Sequence, residues 1–337
     1  MFFRNKSFAI DLGNNNTLLT DETNILLSQP SYIVFNKNNN SVKAVGESAY
    51  DIFEKNHDEL KAVKPLQWGV ISDYESASRM IQEMVAKIYS RTARMTGFDN
   101  IISGVPYSTT EVERRALRDT LDQFQSRKRH LLFEPLAAAM GMGLDIRQPE
   151  GRMIIDIGGG ITEIVVISLS GVAVFRSTKI AGDTFNEDIR DYFRRERGIN
   201  IGLKTAERVK IQVGAVLENI MDAPDTCLVH GKDVIEGIPV VRKTDHREIA
   251  HVLDKSFRSI EEDILHTLEA CPPELSADIW THGVYVTGGG ALLRGLKARL
   301  ESTLHVKVQI DPEPLLSVTK GISNTLRNPE QYRNLFI

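Results

Sequence analysis

The chain is predicted to be an α/β protein of two lobes, on three observations. Short apolar runs alternate with longer segments of helical period along its 337 residues. Two segments repeat one design: Ile10-Asp11-Leu12-Gly13-Asn14-Asn15-Asn16-Thr17 and Ile155-Asp156-Ile157-Gly158-Gly159-Gly160-Ile161-Thr162-Glu163. Each is an apolar, β-branched run ending in Asp, then a turn of Gly or Asn, then a hydroxyl residue. A third glycine element, Val286-Thr287-Gly288-Gly289-Gly290-Ala291-Leu292-Leu293, again reads as a strand running into a glycine turn and a helix.

In chain order, strands are expected at Ser7–Asp11, Ile101–Val105, Leu131–Phe133, Met153–Ile157, Glu163–Leu169 and Val284–Thr287. The polar stretch Asn36–Asn40 reads as a hairpin tip. Met80, Ile81, Met84, Val85 and Ile88 share one helical face. Thr110 with Glu113 forms a capping box, and Val112, Ala116, Leu117 and Leu121 follow at helical spacing. Arg147–Gly151 carries Pro and Gly and reads as the passage between lobes. A long helix carries Ile249, Val252, Leu253, Phe257, Ile260, Ile264 and Leu268, and must end before Pro272-Pro273. Lobe I is assigned to 1–140 and 311–337, with a small subdomain around 31–64. Lobe II is assigned to 141–310, with one around 183–247.

Composition bounds the partners. Apolar content of 42% and charged content of 26% fit a soluble globular protein. A net charge of −4 provides no basic field to recruit nucleic acid. Cys227 and Cys271 lie apart without CxxC spacing, which fits a reducing cytoplasm. No apolar run approaches the roughly 20 residues that span a bilayer. Arg4, Asn5 and Lys6 interrupt any signal-like stretch.

The chemistry follows from the paired hairpins. A carboxylate at a strand end can hold Mg²⁺, which keeps most of its waters and takes one or two carboxylates. Gly and Asn accept the backbone angles that turn successive N–H groups inward as a phosphate nest. Two such hairpins imply two lobes that clamp one nucleotide phosphate tail. No Walker-type Gly-Lys-Ser/Thr loop is present, so nest and metal must carry the phosphates.

These hairpins and the late glycine turn resemble the actin-like ATPase superfamily. Five further motifs narrow the likeness: Glu111-Val112-Glu113-Arg114-Arg115-Ala116, Glu134-Pro135-Leu136-Ala137-Ala138-Ala139, Thr205-Ala206-Glu207-Arg208-Val209-Lys210, Cys271-Pro272-Pro273-Glu274-Leu275 and Thr287-Gly288-Gly289-Gly290-Ala291-Leu292-Leu293-Arg294. Together they resemble the MreB family of rod-shape-determining bacterial actins, over nearly the whole chain. The resemblance implies an actin-like fold with mixed sheets and helices around a central nucleotide cleft. It implies that Asp11 and Asp156 hold Mg²⁺ largely through water. Asn14, Asn15 and Asn16 would wrap one side of the β- and γ-phosphates of ATP, and Gly158, Gly159, Gly160 and Ile161 the other. Glu207, Arg208 and Lys210 would serve ribose and base, and Gly289, Gly290, Ala291, Leu292 and Leu293 the adenosine side. Glu134 and Thr162 would orient the attacking water.

The chain departs from the family at three points. It has Asn14-Asn15-Asn16 where relatives commonly have Thr-Ala-Asn, Ile161 where Thr is usual, and Phe133 where an acidic residue often precedes the catalytic Glu. Slow turnover is therefore expected.

The resemblance also implies head-to-tail filaments, partners in the cell-wall elongation machinery, and a cytoplasmic location at the inner membrane face. Locally, Met1-Phe2-Phe3-Arg4-Asn5-Lys6 pairs two aromatics with two cations, as an interfacial anchor would. Met95 and Phe98, beside Arg91 and Arg94, offer a second apolar contact. The alternatives are a bacterial actin that positions plasmids or organelles without direct membrane binding, a metabolic kinase, and a chaperone ATPase. A kinase needs an acceptor base for which no motif is found. A chaperone needs a peptide-binding domain, for which a chain ending at Ile337 leaves no room.

Overall fold

A computed structural model describes residues 6–337 except Asn56, and only the backbone of Ala93. The chain divides into two compact units, Met1–Gln148 with Leu169–Gly171 and Leu315–Ile337, and Pro149–Ser168 with Val172–Pro314.

The first unit is built on a five-stranded sheet. Its spatial order is Ser126–Phe133, Phe98–Val105, Phe8–Leu12, Asn16–Thr20, Ile25–Pro30. The first three strands run parallel, and the last two fold back antiparallel. Parallel strands are covered on both faces, which is why Phe8, Ala9 and Ile10 are all buried although they alternate in direction. The helix Tyr74–Ile88 buries Met80, Ile81, Met84 and Val85, and Asp73 caps it by accepting from the Ser76 N–H. The helix Glu111–Asp122 starts at the expected capping box. The Glu113 N–H donates to Thr110 Oγ1 at 3.3 Å, and the Thr110 N–H donates to Glu113 Oε2 at 2.7 Å.

Two further helices of this unit, Glu134–Gly141 and Ser317–Arg327, meet backbone to backbone. A Cβ at Gly141 would collide with the Ser317 carbonyl, and one at Gly321 with the Ala137 carbonyl. A small antiparallel sheet of Val42–Val45, Ile33–Asn36 and Leu60–Val63 carries the helix Glu47–Ile52. The expected tip at 36–40 is there: Asn36 Oδ1 accepts from the Asn38 N–H at 2.8 Å.

The second unit repeats the plan. Its five strands lie in the order Gly171–Thr178, Thr162–Ser168, Arg152–Ile157, Val284–Thr287, Val308–Ile310. Arg152–Ile157 pairs antiparallel with the strand that follows it and parallel with Val284–Thr287, as Phe8–Leu12 does in the first unit. The strand expected to reach Leu169 stops at Ser168. Leu169 and Ser170 adopt φ of 50° and 65° and form a two-residue hairpin turn. The long helix runs His246–Glu269, capped by Asp245, and Pro273 opens the next helix at its first turn, where its missing N–H costs nothing. A three-stranded sheet of Ile199–Asn200, Cys227–Asp233 and Pro239–Thr244 completes this unit. No helix among the described residues is long and apolar enough to cross a membrane.

Candidate functional site

In the first unit, Asp11 stands one residue before the end of its strand. Leu12 pairs with Thr17, so four residues, Gly13 to Asn16, make the turn. A Cβ at Gly13 would lie 2.7 Å from the Asn16 carbonyl, so the tight turn requires glycine there. The three asparagines divide their work. Asn14 is buried and its Oδ1 accepts from the Gly69 N–H at 3.1 Å. Asn15 Oδ1 accepts from Lys64 Nζ at 2.6 Å. Asn16 is exposed. Thr17 is buried against Ser31, whose Oγ donates to the Gly13 carbonyl at 2.7 Å.

Thr319, on the helix Ser317–Arg327, donates its hydroxyl to Asp11 Oδ2 at 2.8 Å. No cationic side chain among the described residues pairs with Asp11, and burial pushes its pKa from 3.8 up to about 6 against the smaller opposing effect of Thr319. A desolvated carboxylate without a cationic partner suits a divalent ion, which would restore the ionised form. The sign of the pH effect follows. Folding favours the protonated carboxyl, so the native state holds a proton that the unfolded chain has released. Stability contributed by this group is intact below 3.8 and falls as pH rises through the window to about 6. The expected loss is roughly 2–3 kcal/mol. Thermal melts of wild type and Asp11→Asn without metal, from pH 4 to 7, should diverge across that window, with the Asn variant gaining; parallel curves would refute the assignment.

Glu134 opens its helix beside Gly104 of the strand Phe98–Val105. A Cβ at Gly104 would lie 3.2 Å from Glu134 Cγ, so glycine there lets the carboxylate lie against the sheet. Glu134 lines a pocket of this unit together with Leu12, Gly69, Val105, Pro106 and Thr109.

In the second unit, Ile157 pairs with Thr162, again leaving a four-residue turn. Gly158 matches Gly13: its Cβ would meet the carbonyl three residues on, that of Ile161, at 3.0 Å. The glycine turn is docked onto the start of the helix Gly182–Arg195, where the Gly182 and Asp183 N–H groups donate to the carbonyls of Gly158 and Gly159 at 3.1 and 2.7 Å. Lys210 Nζ donates to the Gly182 carbonyl at 2.9 Å, so this lysine holds the same junction. Thr162 corrects the expectation that it orients the water: it is fully buried, and its hydroxyl proton goes to the Ile180 carbonyl at 2.7 Å. Glu163, which sequence reasoning passed over, is buried directly across the ladder from Asp156.

The third glycine element explains itself by contact. Thr287 is the parallel partner of Asp156. Gly288 has φ 81°, and a Cβ there would collide with the Asp156 carboxylate and the Ile157 carbonyl. A Cβ at Gly290 would collide with the Ile157 side chain. The expected helix is one 3₁₀ turn, Gly289–Leu292, because Gly295 at φ 81° separates it from the helix Leu296–Leu304. Ala291 and Leu293 are buried, whereas Gly289 and Leu292 are exposed. Glu207 and Lys210 lie three apart on the helix Leu203–Val213, but Arg208 points away, donating to the Leu228 carbonyl at 3.3 Å.

The expected membrane residues separate. Phe2 and Phe3 lie outside the described residues. Met95 is 67% exposed. Phe98 is a correction: it is 2% exposed, stacked edge-on against Phe8 and Tyr89 at 4.9 and 5.1 Å, because it begins a buried strand rather than ending a loop.

A profile of the family described as MreB/Mbl protein matches residues 5–334. The cell shape-determining protein MreB of Escherichia coli (strain K12) is 36% identical over 318 residues, 93% of this chain and 91% of that one. The cell shape-determining protein Mbl of Bacillus subtilis (strain 168) is 35% identical over 327 residues, 97% of each chain. The crystal structure of MreB5 of Spiroplasma citri bound to AMPPNP aligns with a TM-score of 0.91 at 32% identity, over 99% of both chains. A MamK double helical filament aligns with a TM-score of 0.75 at 20% identity, over 96% of this chain and 99% of that one, a likeness of fold.

Proposed function

Because the chain belongs to the MreB/Mbl family of cell shape-determining, actin-like proteins, we propose that it is a cytoskeletal ATPase that binds Mg-ATP and forms membrane-associated filaments directing cell shape and cell-wall synthesis. One observation carries the nucleotide reading: both units present an Asp at the same place before a four-residue Gly or Asn turn. MreB5 of Spiroplasma citri, similar over the whole chain, has been crystallised with AMPPNP and with ADP.

In this reading the N–H groups of the two turns receive phosphate oxygens. Asp11 and Asp156 are the carboxylates that would hold Mg²⁺ through water, an ion that when bound would supply charge to offset the phosphates. Phosphoryl transfer needs positioning more than covalent chemistry. Glu134, set against Gly104, orients the water. Thr162 supports the glycine turn from beneath through Ile180, and Lys210 secures it to the helix Gly182–Arg195. Ile161, lacking the hydroxyl usual in relatives, keeps turnover slow. Glu207 and the turn Gly289–Leu292 receive the adenosine.

Filament subunits would each add a weak lipid contact, and avidity would make the sum firm. The anchor combines the N-terminus with Met95. The Lys6 N–H donates to Asp99 Oδ2 and its Nζ to Thr96 Oγ1, both at 3.1 Å, so the chain enters the described residues beside the exposed Met95. Replacing Phe2, Phe3 and Met95 with Ser should abolish ATP-dependent co-sedimentation with anionic liposomes and leave filaments visible by electron microscopy. Normal pelleting of this variant would remove these side chains as the anchor. Wild-type filaments that ignore lipid would favour a bacterial actin for plasmid or organelle positioning.

A further inference from the structure

We infer that Arg299, whose side-chain hydrogen bonds go to none of the phosphate or adenosine residues named above, is a positioning residue for the adenosine side of the site; this rests on the nucleotide reading just given. Arg299 is 8% exposed within the second unit. Its Nε and Nη2 donate to the Glu261 carboxylate at 2.8 and 2.9 Å, and its Nη1 lies 3.0 Å from Asp254 Oδ1. Both carboxylates belong to the long helix His246–Glu269. The guanidinium also sits over the Phe257 ring, 5.6 Å from its centre.

One donor reaches out of this cluster. Arg299 Nη1 donates to the Val216 carbonyl at 3.1 Å. Val216 belongs to a short segment that ties together the two elements assigned to adenosine. The Val216 N–H donates to the Arg294 carbonyl at 2.9 Å, and the Arg294 N–H donates to the Gly214 carbonyl at 3.3 Å. Gly214 ends the helix bearing Glu207 and Lys210, its N–H donating to the Lys210 carbonyl at 2.8 Å. A Cβ at Gly214 would lie 2.7 Å from Leu293 Cδ2, so the glycine turn packs directly on that helix end. Helix and turn are thus one piece, and Arg299 fastens it to the long helix.

Stability alone does not account for a charged fork in this place. Replacing a buried ion pair with apolar side chains of similar volume is often neutral or stabilising. An apolar side chain cannot hold the Val216 carbonyl while anchored to Glu261, whereas the planar, five-donor guanidinium can. Lysine keeps the charge but cannot bridge three partners in fixed geometry.

Two variants test this, Arg299→Lys and the double variant Arg299→Met with Glu261→Leu. The measurements are the Kd for Mg-AMPPNP by calorimetry, the melting temperature, and amide exchange at Val216 and Arg294. The double variant should melt somewhat below wild type, because the Val216 carbonyl, Asp254 and the Thr303 hydroxyl each lose a partner. It should bind about tenfold more weakly, with faster exchange at those two amides and unchanged exchange in the turn 158–160. Wild-type affinity in the folded double variant, whatever its melting temperature, would overturn the proposal and leave the network a matter of stability. If the double variant does not fold, Arg299→Lys decides: weakened binding with faster exchange at Val216 supports the role, and wild-type affinity refutes it. Failure of the nucleotide reading itself looks different, because wild-type protein would then not bind Mg-AMPPNP at all.

Discussion

Asp156→Ala should abolish Mg²⁺-dependent binding of an ATP analogue while the chain remains folded. The side chain is half-buried one residue before the end of a strand whose apolar residues, Met153, Ile154, Ile155 and Ile157, are all buried, with Gly288 pressed against its carboxylate and Glu163 across the ladder. Its removal leaves the metal short of a carboxylate in a site where phosphate charge must be compensated. Loss of a carboxylate that holds the ion through water costs about 10- to 100-fold in affinity. The shape of the site barely changes, since alanine fits the strand. Calorimetric titration with Mg-AMPPNP measures the effect, and chelating Mg²⁺ should bring wild type to the variant's level. Asp156→Asn, which keeps the volume and loses the charge, should behave like alanine. Unchanged affinity in either variant would sink the site assignment.

Gly321→Ala should destabilise the first unit by about 3 kcal/mol, although helix propensity alone favours the opposite sign. Alanine inside a helix is better than glycine by about 1 kcal/mol. At Gly321, however, the added methyl would enter the Ala137 carbonyl of the facing helix. The obstacle is backbone, so no rotamer change relieves it, and the helices must separate. Overpacking a close contact costs typically 1–3 kcal/mol, and a backbone obstacle belongs at the upper end. Gly141, pressed on the Ser317 carbonyl, makes the same contact in reverse. Urea unfolding should show the loss in the transition of the first unit. Analogue binding should weaken too, because Thr319 and Glu134 ride on these two helices. A variant as stable as wild type would mean that the helices do not meet at these glycines.

Much of the architecture was legible in the residues. The hairpins at Asp11 and Asp156, the capping box at Thr110, the long helix ending before Pro272 and the central strands all follow local rules. These depend on a few neighbouring residues, such as a run of β-branched side chains, a glycine where the backbone turns, or a proline that stops a helix. The small sheet of Cys227–Asp233 and Pro239–Thr244 escaped because its outer face alternates Leu228, His230, Lys232, Val241 and Lys243, a pattern without a strong apolar period. Phe98 was misread for a related reason. Beside Arg94 and Gly97 it resembles a loop residue, and only its stacking on Phe8, ninety residues earlier, places it in the core.

The sequence by itself determined the family, the repeated Asp-turn design and the residue types available to phosphate and metal. These are written in short stretches of chain, because turn angles, capping and strand ends are local. Tertiary structure alone decided what those residues touch. Thr319 reaches Asp11 across 308 residues. Lys210 secures the glycine turn through Gly182, the Thr162 hydroxyl goes to Ile180, and Arg299 reaches Val216. None of these pairings has a spacing that repeats along the chain. Each exists because packed layers bring a donor and an acceptor together where water is excluded, and a buried polar group there must find a partner.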